Sequence, residues 1–123
     1  MSISTDLYTF LDNAIADTDF ALTTAGPTAR APFVEITLTD HERTRTTATT
    51  SANYKTTFDI ECWNVNSVLA ASLAANVSAQ LQDYAGTMGS TRIFRTRIYN
   101  EFSGSDSAAE LFNRSFSVIF THQ

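Results

Sequence analysis

Few residues in this 123-residue chain could do chemistry: one cysteine, two histidines and a handful of closely spaced carboxylates. Cys62 is the single thiol, which excludes an intramolecular disulfide and a cysteine-based zinc cluster. Its parity places it with Phe58 and Ile60 on the apolar side of a strand-like segment, and neither histidine is adjacent in sequence. The expectation is a buried thiol acting as a small hydrophobe, not a nucleophile. Asp59 and Glu61 share the opposite, polar side, where two carboxylates can bind a hard cation or share a proton. With no third ligand in view, a solvated or interface face is the expected role. Asp40, His41 and Glu42 are each metal-capable, yet three consecutive side chains in a strand or turn point apart and do not converge on one ion. His122 is expected to be solvated. Gly86-Thr87-Met88-Gly89 lacks the lysine and following Ser/Thr that cradle phosphate, so nucleotide hydrolysis is unsupported. No catalytic residue, cofactor or metal is expected from these groups.

Positive charge concentrates in Arg92, Arg95 and Arg97, interleaved with Ile93 and Tyr99. Arg95, Arg97 and Tyr99 share strand parity, and such a face can dock carboxylates of a neighbouring subunit or touch a nucleic-acid backbone. The alternative is a solvated face paired with acidic neighbours. Eight Lys+Arg against thirteen Asp+Glu give a net charge of −5, which opposes broad phosphate neutralisation. No strand shows the aromatic and basic pattern of sheets that read single-stranded RNA.

The length fits one domain spanning residues 1–123, with a single two-layer core. The start, Met1 to Asp6, has no positive segment followed by an apolar run, and the Val68 to Leu81 stretch is too short and too interrupted to span a bilayer. Leu7, Phe10, Leu11, Ala14 and Ile15 recur at helical spacing over residues 4–17, with Ser4 or Thr5 as N-cap and Asp6 in the first turn. Gly26-Pro27 and Pro32 mark residues 23–32 as a connector. Val34, Ile36 and Leu38 alternate with polar residues, as do Phe58, Ile60 and Cys62, so residues 33–39 and 54–62 read as an antiparallel pair. Between them, residues 40–53 are polar throughout and long for a hairpin loop. Such a loop is either without fixed structure or has a task, and it carries His41, Arg43 and Arg45. Asn64 or Asn66 can cap a second helix from Val68 to Tyr84, ended by Gly86 and Gly89. Residues 91–102 and 113–121 read as strands, with 103–112 as a polar connector. The expected fold is α+β in the order α-β-β-α-β-β, a mostly antiparallel four-stranded sheet with both helices on one face.

In this order, several strings resemble the tail-terminator (tail-completion) proteins of long-tailed bacteriophages. They are Ala31-Pro32-Phe33-Val34, Phe58-Asp59-Ile60-Glu61-Cys62-Trp63, the helix Leu69 to Val77 with Leu81, and Leu111-Phe112-Asn113-Arg114-Ser115-Phe116-Ser117-Val118. The match runs over most of the chain from the first helix onward, and the threonine-rich 40–53 loop departs from it. The resemblance implies a structural virion protein, assembled in the host cytoplasm, that forms a hexameric ring. That ring would cap the tail tube, stop its polymerisation and meet a head-side connector, with DNA only as passing cargo and no membrane. Each subunit would then present one patch to a different patch on its neighbour. The residues expected at such an interface are His41, Arg43, Arg45, Arg92, Arg95 and Arg97. Two other readings stand beside it. One is a tail-tube or head-completion structural protein; the other is a small ligand-binding or enzymatic α+β domain using Asp59, Glu61 and His41 at the sheet edge.

Overall fold

The computed structural model of the chain describes residues 3–15, 18–22, 32–45, 52–107 and 110–123. The element order is α1 (Ile3–Ala14), β1 (Asp19–Ala21), β2 (Phe33–Arg45), β3 (Ala52–Asn64), α2 (Ser67–Leu81), β4 (Gly86–Met88), β5 (Thr91–Asp106) and β6 (Leu111–His122). The four long strands and two helices follow the expected order. The expected sheet of four is corrected to six, ordered β1-β2-β3-β6-β5-β4. The two additions are three-residue strands at the flanks, too short to carry a periodic signal. β1 runs parallel to β2, and all other pairs are antiparallel.

One side of the sheet is covered. Val34, Ile36, Phe58, Ile60, Cys62, Phe116, Val118 and Phe120 join Ile3, Leu7 and Leu11 of α1 and Leu73, Ala74, Val77 and Leu81 of α2 in one core. Strand alternation selects the first set and helical spacing the second, and burying both sets removes them from water together. Cys62 is fully buried, and burial pushes its thiol up to about 12, with the nearby Glu61 carboxylate adding to the effect.

Three connections differ from the sequence expectation. The polar 40–53 segment is not a loop at its ends: β2 runs through Arg45 and β3 starts at Ala52, with Arg45 opposite Ala52. Polar side chains on both strand faces hid this, because no apolar alternation marks a ladder that extends beyond the core. Residues 46–51 lie outside the described residues, as do 23–31 of the expected connector. The 103–112 connector is likewise mostly ladder, with β5 reaching Asp106 and pairing with Leu111. α2 is capped by Asn66, whose side-chain oxygen accepts from the Leu69 backbone N–H at 2.8 Å. It ends at Leu81 rather than at Tyr84, and Gly86 lies in β4.

α1 starts at Ile3, so Ser4 and Thr5 lie inside it rather than capping it. Asp6 does more than favour the helix start. It is buried and accepts hydrogen bonds from the hydroxyls of Ser90 (3.0 Å) and Thr91, tying α1 to the β4–β5 turn. Gly89 in that turn has φ +60°, and a Cβ there would collide with the Asp6 carboxylate.

Candidate assembly surface

The side of the sheet away from the helices carries charge instead of packing. Strand register sets this face out in rows. Glu42, Lys55, Thr121 and Arg95 form one, Asp40, Thr57, Ile119 and Arg97 the next, and Thr37, Asp59, Ser117 and Tyr99 a third. Along each row carboxylates sit on β2 or β3, small or neutral residues on β6, and arginines or tyrosine on β5. Glu61 extends the acidic side by one more row, opposite Glu35. Asp59 accepts a hydrogen bond from the Ser117 hydroxyl at 2.7 Å.

Two β-bulges create this arrangement. In β2 the register shifts between Leu38 and Asp40, with Thr39 as the extra residue. One inserted residue exchanges the faces of everything after it. Asp40 and Glu42 therefore fall on the open face, and His41 and Arg43 on the helix side. In β5 the shift between Ile93 and Arg95 has the same effect. Sequence parity set Arg92 opposite to Arg95 and Arg97; the bulge at Phe94 brings all three to the open face. Arg92 stacks over the Phe94 ring, 5.9 Å from its centroid. Arg95 and Arg97 are exposed, and among the described residues none of the three arginines forms an ion pair.

The six residues expected at an interface thus fall into two groups rather than one. Arg92, Arg95 and Arg97 lie along β5 on the open face. His41 and Arg43 belong to β2 on the helix side, two strands away; Arg45 pairs through its backbone with Ala52, and its side chain lies outside the described residues. Asp40, His41 and Glu42 diverge across the two faces. Asp59, Glu61 and His41 do not share a pocket, because His41 is on the other side of the sheet.

His41 has a different set of partners. Its Nδ1 lies 2.7 Å from Thr56 Oγ1, and Thr56 Oγ1 lies 2.7 Å from Nε2 of His122. Tyr54 stacks on both imidazoles, with centroids at 5.1 and 5.5 Å. His122 is buried, not solvated as expected, and its Nδ1–H donates to the Gln123 carbonyl at 3.1 Å. That bond leaves Nε2 as the acceptor of the Thr56 hydroxyl proton, so Thr56 Oγ1 in turn accepts from His41 Nδ1–H. Burial lowers the His122 pKa below its ordinary value; the backbone hydrogen bond opposes this and the nearby His41 reinforces it. Nothing local in the sequence signals this cluster, whose members are 15 and 66 residues apart.

Apolar surface is exposed at the opposite end of the sheet. A groove of about 720 Å³ lies between the start of α2 and the lower β5–β6 ladder, lined in part by Val68, Ala71, Ala75, Phe112 and Arg114. Val68 is 73% exposed and Phe102 60%, well above what a core side chain retains. Cys62 through Gln82 contains no charged residue at all. Arg114 makes an ion pair with Glu101 at 3.6 Å. Both ends of the molecule thus present surfaces suited to protein partners, one charged and one apolar. Among the described residues, no helix is long and apolar enough to cross a membrane.

No protein-family model matches the sequence, and no curated protein matches it. Among solved structures, the chain is similar to one described as "Virion of native gene transfer agent (GTA) particle", with a TM-score of 0.71 and 16% identity. The alignment covers 98% of this chain and 94% of that one. At that identity the likeness establishes a shared fold, running end to end through both chains.

Proposed function

We propose that this chain is a structural virion protein, and that it assembles into a ring which caps the tail tube and joins the tail to the head. The observation that carries the first part is the end-to-end match to a chain of a gene transfer agent virion, which leaves almost nothing of either chain unaccounted for. The ring and its position rest on the resemblance of the strings around Phe33, Phe58 to Trp63 and Leu111 to Val118 to tail terminators. They are supported by the two unlike charged borders of the open face, which suit a head-to-tail contact between copies. On this reading the protein is not an enzyme. Cys62 is sealed in the core, the Asp59 carboxylate is engaged by Ser117, and the His41–Thr56–His122 chain ends on a backbone carbonyl. Its partners are further copies of itself, the tail-tube protein and a head-side connector, with DNA passing through.

Negative-stain microscopy of the purified chain, alone and mixed with tail-tube protein from the same particle, tests this directly. Closed rings, and tubes bearing one ring at one end, are expected. Monomers alone in both samples would refute it, and open polymers would favour a tail-tube role.

A further inference from the structure

The two borders of the sheet are incompletely covered. β1 pairs with β2 only along Phe33–Glu35, and β4 pairs with β5 only along Thr91–Ile93. Among the described residues, β2 beyond Glu35 and β5 beyond Ile93 have no strand on their outer side. Open edges of this kind are templates for pairing with another chain, and charge on an edge ordinarily discourages that. Here the open-face charges are opposite over one segment of each edge, Asp40 and Glu42 on β2 and Arg95 and Arg97 on β5, so these segments attract each other.

We propose that one copy's β5 edge, over Arg95–Tyr99, pairs antiparallel with the β2 edge of the next copy, over Thr37–Glu42. The sheet would then continue from copy to copy. This rests on the ring reading above and names the contact that builds the ring. The strand directions suit it: β2 is antiparallel to β3, β3 to β6 and β6 to β5, so a copy placed alongside brings β5 beside β2 in antiparallel sense.

The rows match as well as the directions. Without any shift along the strands, Arg95 meets Glu42 and Arg97 meets Asp40 on the open face, while Leu38 meets Ile98 on the helix side. Within one chain those partners stand three strand spacings apart, roughly 14 Å, too far to pair. Leu38 belongs by register with Phe58 and Val118, yet it is 49% exposed, and among the described residues no strand lies beside it on the outer side of β2. A neighbour's Ile98 would cover it. On the β5 side a cleft of about 290 Å³ runs along the free edge, lined by Gln82, Asp83, Arg95, Thr96, Arg97 and Glu101, open to an incoming strand. Because the two edges differ, the contact is heterologous, and repetition closes a ring when the rotation per copy allows it.

The test uses two reversed chains, Arg95→Glu/Arg97→Glu and Asp40→Arg/Glu42→Arg, measured by sedimentation velocity with and without tail-tube protein. Each alone is expected to associate at least tenfold more weakly than the unmodified chain. An equimolar mixture is expected to assemble again, because both contacts become complementary when the two chains alternate. The mixed rings must then contain even numbers, half of each.

A readout independent of charge uses Asp40→Cys copies mixed with Arg97→Cys copies, both carrying Cys62→Ala. Mild oxidation is expected to give a disulfide between unlike copies. Variants that assemble like the unmodified chain, or folded mixtures that neither reassemble nor cross-link, would overturn the proposed contact. If the unmodified chain never assembles, the ring reading falls with it; if its rings survive both reversals, only this contact falls.

Discussion

The two faces of the same strands obey different rules. Phe58 and Asp59 are consecutive in β3, yet Phe58 is fully enclosed against Phe120 and Asp59 is exposed, bonded to Ser117. The covered face is chosen by apolar volume and tolerates little change, since interiors are close-packed. The open face carries charge of one sign along each border, which costs the monomer little and, on the proposed reading, matters when another copy arrives. Stability and the proposed assembly would therefore separate by strand parity, except where a bulge exchanges the faces.

That separation can be broken most severely from the covered side. Phe58→Ala should cost about 3–5 kcal/mol, enough to unfold a marginal domain, as followed by thermal melting of the sole tryptophan, Trp63. Lys55→Ala, on the open face of the same strand, should stay within about 0.5 kcal/mol. Equal losses for the two would contradict the division.

Next in size is the α1 anchor. Gly89→Ala places a side chain at φ +60° and against the Asp6 carboxylate, so a loss of about 1–3 kcal/mol is expected in denaturant unfolding. If Asp6 is merely a favourable charge at a helix start, the variant should lose less than that.

A gentler perturbation is pH. The folded His122 holds its proton less well than the unfolded chain does, so its contribution is complete above the ordinary value of 6.5 and declines as pH falls toward the folded value. The melting temperature should therefore drop on acidification below about pH 6.5. His122→Gln keeps an acceptor for the Thr56 hydroxyl without titrating and should flatten the drop. An unchanged pH profile in that variant would remove His122 as its source.

The smallest effect on the monomer is expected from Arg97→Glu, within about 0.5 kcal/mol of the unmodified chain, together with impaired assembly. A large loss of monomer stability would instead assign Arg97 to the fold.

Much of the scaffold was readable because its signals are local. Alternation at Phe58–Ile60–Cys62 and Phe116–Val118–Phe120, and helical spacing at Leu73–Val77–Leu81, gave the strands, the second helix and the buried thiol. The flanking strands β1 and β4 were not readable, since three residues carry no period. The ladder ends at Asp40–Arg45 and Ser103–Asp106 look like loops in sequence because they extend past the core, where nothing selects apolar side chains. The burial of His122 leaves no local signal, because it depends on Tyr54 and Thr56, far away in sequence.

By itself, then, the sequence determined most of the core, though Leu38 and Val68 of its apolar pattern stay exposed, and that positive charge gathers in one strand, since both depend on residue type and short spacing. Only the tertiary structure decided which face each charge occupies. A one-residue bulge reverses every side chain beyond it, and that reversal brings Arg95 and Arg97 to the face of Arg92, Asp40 and Glu42 to the acidic border, and His41 to the Thr56–His122 cluster. Bulges are set by how neighbouring strands register against one another, a long-range property that no local pattern in residues 39 or 94 records.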